Sequence, residues 1–411
     1  MTTSRAIPAG APGRWRALFT LSFALILTMT TWFSASAVIP QLRDEWTLTE
    51  TAAAWLTISV QLGFVTGAVL SSLFNVADIH PPRRVIVAGA VGAAVANGCI
   101  LLAGSAPAAL PLRFLTGFFL AGVYPPALKL MATWFRDKRG TALGIMVGAL
   151  TVGSAAPHLV NGLGGLQWRV VIGATSGMTL LGALIVVMAV TDGPFPFPRA
   201  TFDPSRIRSA LADRGVRLAS LGYFGHMWEL YAMWAWFVVF FAAHERQIGG
   251  GSGSTAAFAT FTAIGIGGFG CWVGGIAGDR WGRARTTVVM MGASGACSLL
   301  IGTLFEGPTW ILLIVSLVWG FTVVADSALF STLVTELADQ SYVGTALTLQ
   351  LALGFTLTVV TIWLIPLMER AVGWQWAFVL LAPGPALGIV SMRRLAAFER
   401  DRAGEAAAAA H

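Results

Sequence analysis

The chain alternates between long apolar runs and short polar intervals from one end to the other. Twelve runs lie at approximately 17–40, 51–75, 84–104, 107–134, 140–163, 168–191, 217–242, 255–278, 285–305, 308–335, 342–368 and 373–396. Each is near or above the roughly 20 residues a helix needs to cross about 30 Å of hydrocarbon. Lipid cannot satisfy exposed backbone groups, so helices are the expected spanning elements. The pattern predicts an all-α integral membrane protein with twelve transmembrane helices. The first run has the basic flank (Arg14, Arg16) and the small-residue SASA at 34–37 of a secretory leader. Its apolar length exceeds a leader's core, and a matching span opens the second half, so we expect it to remain as the first span.

The longest polar interval, DGPFPFPRATFDPSRIRSALADRGVR at 192–217, contains four prolines and five arginines. It predicts a linker at 192–216 with a short surface helix near 204–214. On that division residues 1–191 form one six-helix bundle, 217–398 a second, and 399–411 a disordered tail. The halves repeat: GTAL begins at Gly140 and again at Gly344, 204 residues apart, each time after a span and a short polar loop. NVADIHPPRRV from Asn75 parallels IAGDRWGRART from Ile276, and GLQWR from Gly165 parallels GWQWAF from Gly373. Three correspondences at nearly constant offset mark an internal duplication. A parallel six-plus-six repeat forms its site near the midplane, between bundles that rock against each other.

Composition agrees with lipid as the main solvent. Of 411 residues, 56% are hydrophobic and 11% charged, with a mean hydropathy of +0.74; a soluble chain carries about 25% charged residues. The net charge of +7 raises the possibility of nucleic acid. Its placement in short loops argues against it, and no nucleic-acid partner is expected. With both termini in the cytoplasm, the cytoplasmic segments hold 20 of the 26 Lys and Arg, and the opposite side holds only Arg43, Arg169, Arg246 and Arg370. That bias predicts a multi-pass protein of the cell (inner) membrane with both termini inside. Cys99, Cys271 and Cys297 lie in apolar stretches, which fits neither a disulfide framework nor a metal site.

GDRWGRAR, with Asp279, Arg280 and Arg283, resembles the signature loop of the major facilitator superfamily. LRFLTGFFLAG, with Arg113, Gly117 and Gly122, is similar to that family's fourth-span arginine motif. The first-half copy of the loop departs from the pattern, with Phe74 where a glycine leads, but it retains Asp78, Arg83 and Arg84. The resemblance implies alternating access and a coupling role for Arg113. Both loops are expected to act as cytoplasmic latches, with acidic and basic groups capping helix ends and pairing across the bundle interface. SVQLGFVTGA and TWFRDKRG are loosely similar to the nitrate and cyanate branch.

Ionisable groups inside spans carry the functional information, because each costs about 2.5–3.5 kcal/mol at the bilayer centre on insertion scales. Arg113, Lys129, His226, Glu229 and Asp326 are of this kind. His226 and Glu229, three apart in GHMWELYAMWAW, share a helical face that Met233 and Trp236 continue. That face is expected to meet the central cavity, where a carboxyl and an imidazole can share a proton; the bland alternative is a structural hydrogen bond to a neighbouring helix. Asp326 stands alone in WGFTVVADSALF, and Arg113, a bound cation or a proton are its expected partners. Lys129 follows Pro125 and Pro126, which break or kink their helix; it either binds an anion or snorkels to the interface. Tyr231, Trp234 and Trp236, in the middle of span seven, are too deep for an interfacial belt, and with Trp32 and Trp319 they are the candidates to stack a solute. His158 and Asn161 are expected near the outer end of the fifth span.

These features predict a proton-coupled secondary transporter of a small cationic, amphiphilic or aromatic organic solute, working as a monomer in the bilayer. Glu229, Asp326, Arg113 and His226 are the candidate coupling groups. A small organic or inorganic anion is the alternative cargo, and a non-transporting membrane sensor is a third reading. No nucleotide-binding loop is present, so ATP is not the direct energy source. No cofactor or metal is expected, and no nucleophile-base set suggests an enzyme.

Overall fold

The structure, a computed structural model, describes residues 12–135, 138–163, 165, 167–195, 202–250, 253–339 and 341–409. Among the described residues every regular element is helical. Twelve helices cross the membrane. The first six are α1 (Arg14–Met29), α2 (Glu50–Leu73), α3 (Pro82–Leu102), α4 (Ala106–Ala132), α5 (Arg139–Leu163) and α6 (Trp168–Ala189). The second six are α7 (Arg214–Gln247), α8 (Gly253–Trp281), α9 (Arg283–Leu304), α10 (Thr309–Leu337), α11 (Val343–Val372) and α12 (Trp374–Arg402). Ten of these meet the length and hydropathy of a span unaided. The other two are α1, which is only 16 residues long, and α7, whose apolar run is interrupted by His226 and Glu229.

Turn chemistry places the ends. Thr49 accepts from Ala52 N–H at 3.2 Å to start α2, and Asp213 accepts from Val216 N–H at 2.9 Å to start α7. The tight reversal between α8 and α9 turns on Gly282 at φ +90°, a conformation that a side chain resists. In the first-half copy of that loop, Asn75 adopts the left-handed conformation at φ 50°. The linker carries a short helix, Ile207–Ala212, close to the expected position. The last helical segment runs Pro383–Ala409, beyond residue 398.

Three spans break outright, while α12 passes through a 3-10 turn at Phe378–Leu381 before it resumes at Pro383. The run at 17–40, expected as one helix, unwinds after Met29 and re-forms at Ile39–Trp46. Thr30, Thr31, Ser34 and Ser36 lie in the break, and hydroxyl side chains offer the backbone local alternatives to the helix. The helix of α4 stops at Leu120 and restarts at Tyr124, with prolines in its new first turn. The helix of α10 stops at Ala325 and restarts at Ser327, with Asp326 between.

Helices α1–α6 pack with one another, as do α7–α12, and α5 against α8 and α2 against α11 make the main contacts between the two bundles. The α5–α8 seam depends on glycine. A Cβ on Gly148 would lie 2.7 Å from Gly268 O, and one on Gly144 would lie 2.8 Å from Cys271 O. Small residues let the two backbones meet, which is how membrane helices gain packing energy without a hydrophobic drive.

Candidate functional site

A cavity of about 720 Å³ lies between the bundles. Its mouth carries Lys138, Arg139, Asp279, Arg283 and Glu336, at the ends of α4/α5, α8/α9 and α10. Those ends share a side with the start of α1 and the end of α12, so the cavity opens toward the side that holds the termini. Deeper in, it is lined by Tyr124, Tyr223, Tyr231, Trp234 and Phe355 with several leucines, and by the polar groups Lys129, His226, Ser327 and Gln350. Three of the chain's four tyrosines therefore face this space.

The far end is closed by rings. Trp32 and Phe33 from the broken part of α1 meet Phe64 of α2, Tyr231 and Trp234 of α7, and Phe355 of α11. Ring centroids are 4.7 Å apart for Trp32–Phe64, 4.6 Å for Phe64–Phe355, 5.1 Å for Tyr231–Phe355 and 5.9 Å for Trp32–Tyr231. Phe33 lies 5.8 Å from Trp234. All six rings are buried. Both bundles contribute, so the seal spans the interface that must part if the far side is to open.

Two separate polar centres stand in the second bundle. His226, about 18 Å along α7 at 1.5 Å per residue, lies on the cavity wall and is buried. Its Nδ1 is 3.0 Å from Asp326 Oδ1, and its Nε2 is 2.7 Å from Ser327 Oγ. The imidazole thus touches both residues at the α10 break. Neither carboxylate oxygen of Asp326 has a well-aligned donor among the described residues, because the His226 approach is close but off-axis. The carboxylate is thus enclosed and short of donors among the described residues. Glu229, one turn along α7, turns elsewhere. Its Oε1 accepts from Trp319 Nε1–H at 2.7 Å and its Oε2 accepts from Ser294 O–H at 2.9 Å, tying α7 to α10 and α9. It lies outside the cavity lining, so the structure does not bring Glu229 and His226 together on one surface. Trp319 lies with it, and Trp236 donates to Ile362 O at 2.9 Å in the α7–α11 contact.

Arg113 is wholly buried and is held by oxygen acceptors. It donates to Leu56 O at 3.2 Å, Thr31 O at 2.9 Å, Ser34 Oγ at 3.1 Å and Asn97 Oδ1 at 3.2 Å, and also to Trp32 O. Its guanidinium fork gathers the carbonyls that the α1 break releases. The expected pairing with Asp326 is not formed.

At the mouth, Asp279 lies against the first turn of α5. Thr141 O–H donates to Asp279 Oδ2 at 3.4 Å, and a Cβ on Gly140 would sit 2.6 Å from Oδ1. An acidic group there complements the positive end of α5 and links the bundles. Arg283 is 3.9 Å from Asp279 and 2.5 Å from Glu336, all within its own bundle. In the first-half copy, Arg83 donates to Val187 O and Val190 O at the end of α6. Arg84 and Arg280 are exposed, and Asp78 lies outside the described side chains.

Several lining residues were missed in the sequence: Tyr124, Tyr223, Gln350, Phe355 and the rings Phe33 and Phe64. Two had a signal. Tyr223 stands three residues before His226 on the same helical face, and Gln350 is an isolated amide in an apolar run. The phenylalanines had none, since a ring in a span reads as packing.

Comparison with known proteins agrees with this architecture. Residues 21–360 match the model of the Major Facilitator Superfamily, and the chain belongs to that family. The puromycin resistance protein pur8 of Streptomyces alboniger is 30% identical over 42% of this chain and 35% of its own length. The tetracenomycin C resistance and export protein of Streptomyces glaucescens is 25% identical over 62% of this chain and 45% of its own. The chain thus spans under half the length of either relative. A D-xylose–proton symporter superposes with a TM-score of 0.72 at 15% identity, covering 93% of this chain and 97% of the symporter. The family is one of membrane transporters rather than enzymes.

Proposed function

We propose that this major facilitator is a proton-coupled carrier that exports a small aromatic or amphiphilic organic solute, cationic or neutral, by alternating access. The observation that carries the reading is His226, which forms part of the cavity wall and lies 3.0 Å from the under-bonded carboxylate of Asp326. A proton on this pair is in contact with whatever occupies the cavity, which is what coupling requires. Glu229 is assigned a supporting role: its two hydrogen bonds hold α7 against α9 and α10. Arg113 holds the α1 break in shape, and Asp279 at the end of α8, held in place by Arg283, latches the mouth against α5. The Asp78, Arg83 and Arg84 loop braces the first bundle.

The lining supports the solute class. A space of 720 Å³ suits a drug-sized molecule, and its walls are mainly aromatic. Trp234 Nε1 and Gln350 Nε2 are buried donors without a protein acceptor among the described residues, which favours a solute with carbonyl- or ether-type oxygens. The relatives' names point to resistance and export of organic compounds. By the positive-inside bias, the mouth faces the cytoplasm and both termini lie inside the cell membrane. We take the working unit to be a monomer. Small anions are the second reading, favoured by Lys129 on the cavity wall.

Proteoliposomes with an imposed pH gradient and an internal pH dye test this. Ethidium, tetraphenylphosphonium, salicylate and nitrate are added in turn. Proton flux evoked by the organic probes supports the proposal. Flux evoked by nitrate alone supports the anion reading, and binding without any flux supports a sensor.

A further inference from the structure

Beyond the aromatic seal, α5 carries polar groups that the site described above does not use. Leu143, Val147 and Leu150 line the cavity. At helical spacing the same face continues through Ser154, His158 and Asn161. The adjacent flank of α5 is occupied: Gly144, Gly148 and Thr151 meet α8. Ser154 and His158 are 1% and 0% exposed, yet Ser154 Oγ and both ring nitrogens of His158 have no hydrogen-bond partner among the described residues. An imidazole and a hydroxyl enclosed in this way have lost their solvation with no compensating bond. Stable packing alone gives no reason to keep them.

The line does not end there. Asn161 Nδ2 donates to Ala37 O at 2.8 Å, and Gln41 Nε2 donates to Asn161 Oδ1 at 3.4 Å. Gln41 in turn lines a second cavity of about 460 Å³ on the opposite side of the molecule, with Pro40, Asp44, Glu245 and Arg246. One face of α5 therefore connects the two cavities, and its unpartnered polar atoms fall in the stretch that is closed in this conformation.

We propose that Ser154 and His158 are solute-contacting residues of the far half of the transport path, meeting a hydrogen-bonding group of the solute once the aromatic seal has parted. The proposal rests on the alternating-access reading above and extends it to named positions outside the present cavity. The bonds these residues lack in the closed state are then made with solute and water in the open one.

Thiol accessibility tests this without knowing the solute. Cys99, Cys271 and Cys297 are replaced by serine, and Leu150→Cys, Ser154→Cys, His158→Cys and Gln41→Cys are introduced singly. Sealed vesicles of both orientations are treated with a membrane-impermeant quaternary-ammonium thiosulfonate. Ser154→Cys and His158→Cys are expected to react from the far side, more slowly than Gln41→Cys, and Leu150→Cys from either side. If Leu150→Cys reacts from both sides while Ser154→Cys and His158→Cys stay inert, this proposal falls and alternating access stands. If Leu150→Cys reacts from the mouth side only and both outer positions are inert, the two fall together. Either of the two outer variants suffices should the other fail to insert.

Discussion

Helices α4 and α10 occupy equivalent places in the two halves, and both break. At the repeat offset of 204 residues, Asp326 corresponds to Gly122, which lies in the α4 break at 121–123. The backbone event is shared, but its chemistry is not. In the first half the position equivalent to Asp326 is a glycine, and the buried charge of that span, Arg113, is satisfied by five acceptors. In the second half the break carries a carboxylate with no well-aligned donor, beside an imidazole on the cavity wall. Duplication supplied two similar frames. One became a rigid support, and on the proposal above the other is the proton-coupling centre.

The sharpest way to break that contrast is to neutralise each centre. Asp326→Asn and His226→Leu are expected to reduce transport driven by a pH gradient to the level of empty vesicles, while solute exchange without a gradient persists. Glu229→Gln should retain gradient-driven transport and lose about 1 kcal/mol of stability by weakening its bonds to Ser294 and Trp319. The reverse result, with Glu229→Gln uncoupled and Asp326→Asn intact, would move the coupling centre one helical turn.

Arg113 tests the supporting half. Arg113→Leu strands the carbonyls of Thr31, Trp32 and Leu56 and is expected to cost about 1–3 kcal/mol for a stranded group, read as a lower melting temperature in detergent. Arg113→Lys should recover only part, because an ammonium lacks the planar fork. If Arg113→Leu melts normally but fails to transport, Arg113 belongs to coupling instead.

The frames themselves can be compared through their glycines. A Cβ on Gly117 would lie 1.9 Å from Val60 O, and one on Gly320 would lie 1.6 Å from Ala263 O. Gly117→Ala and Gly320→Ala are both expected to cost about 1–3 kcal/mol, of similar size if the two halves pack alike.

The smallest effect is expected outside the membrane. Glu45 accepts from Trp168 Nε1–H at 2.5 Å and pairs with Arg169 at 2.6 Å. These bonds, that of Trp168 foremost, hold its carboxyl below the usual range. A lowered folded-state value means the contribution is present above the unfolded pKa of about 4.3 and is lost as the pH falls through the folded one. Glu45→Gln should remove that part of the acid sensitivity, measured as melting temperature against pH.

Some of the site was legible in the chain and some was not. Lys129, His226, Tyr231 and Trp234 were marked by type and depth, and all four face the cavity. Glu229, Trp236 and Trp319 were marked by the same signal and turn into the second bundle. The signal reports that a polar or aromatic group is deep; it does not report which neighbour the group faces. On α7 a rotation of one turn separates a wall residue from a bundle brace, and only packed partners decide it.

The number of spans, the duplication, the linker and the family motifs were determined by the sequence itself, because hydrophobic length and repeat offset are local or one-dimensional properties. Those features need no knowledge of what touches what. The pairing of His226 with Asp326, the capture of the α1 break by Arg113 and the ring seal join residues 32 to 323 positions apart. Such contacts depend on helix rotation and on where spans break, and these were decided only when twelve helices packed together.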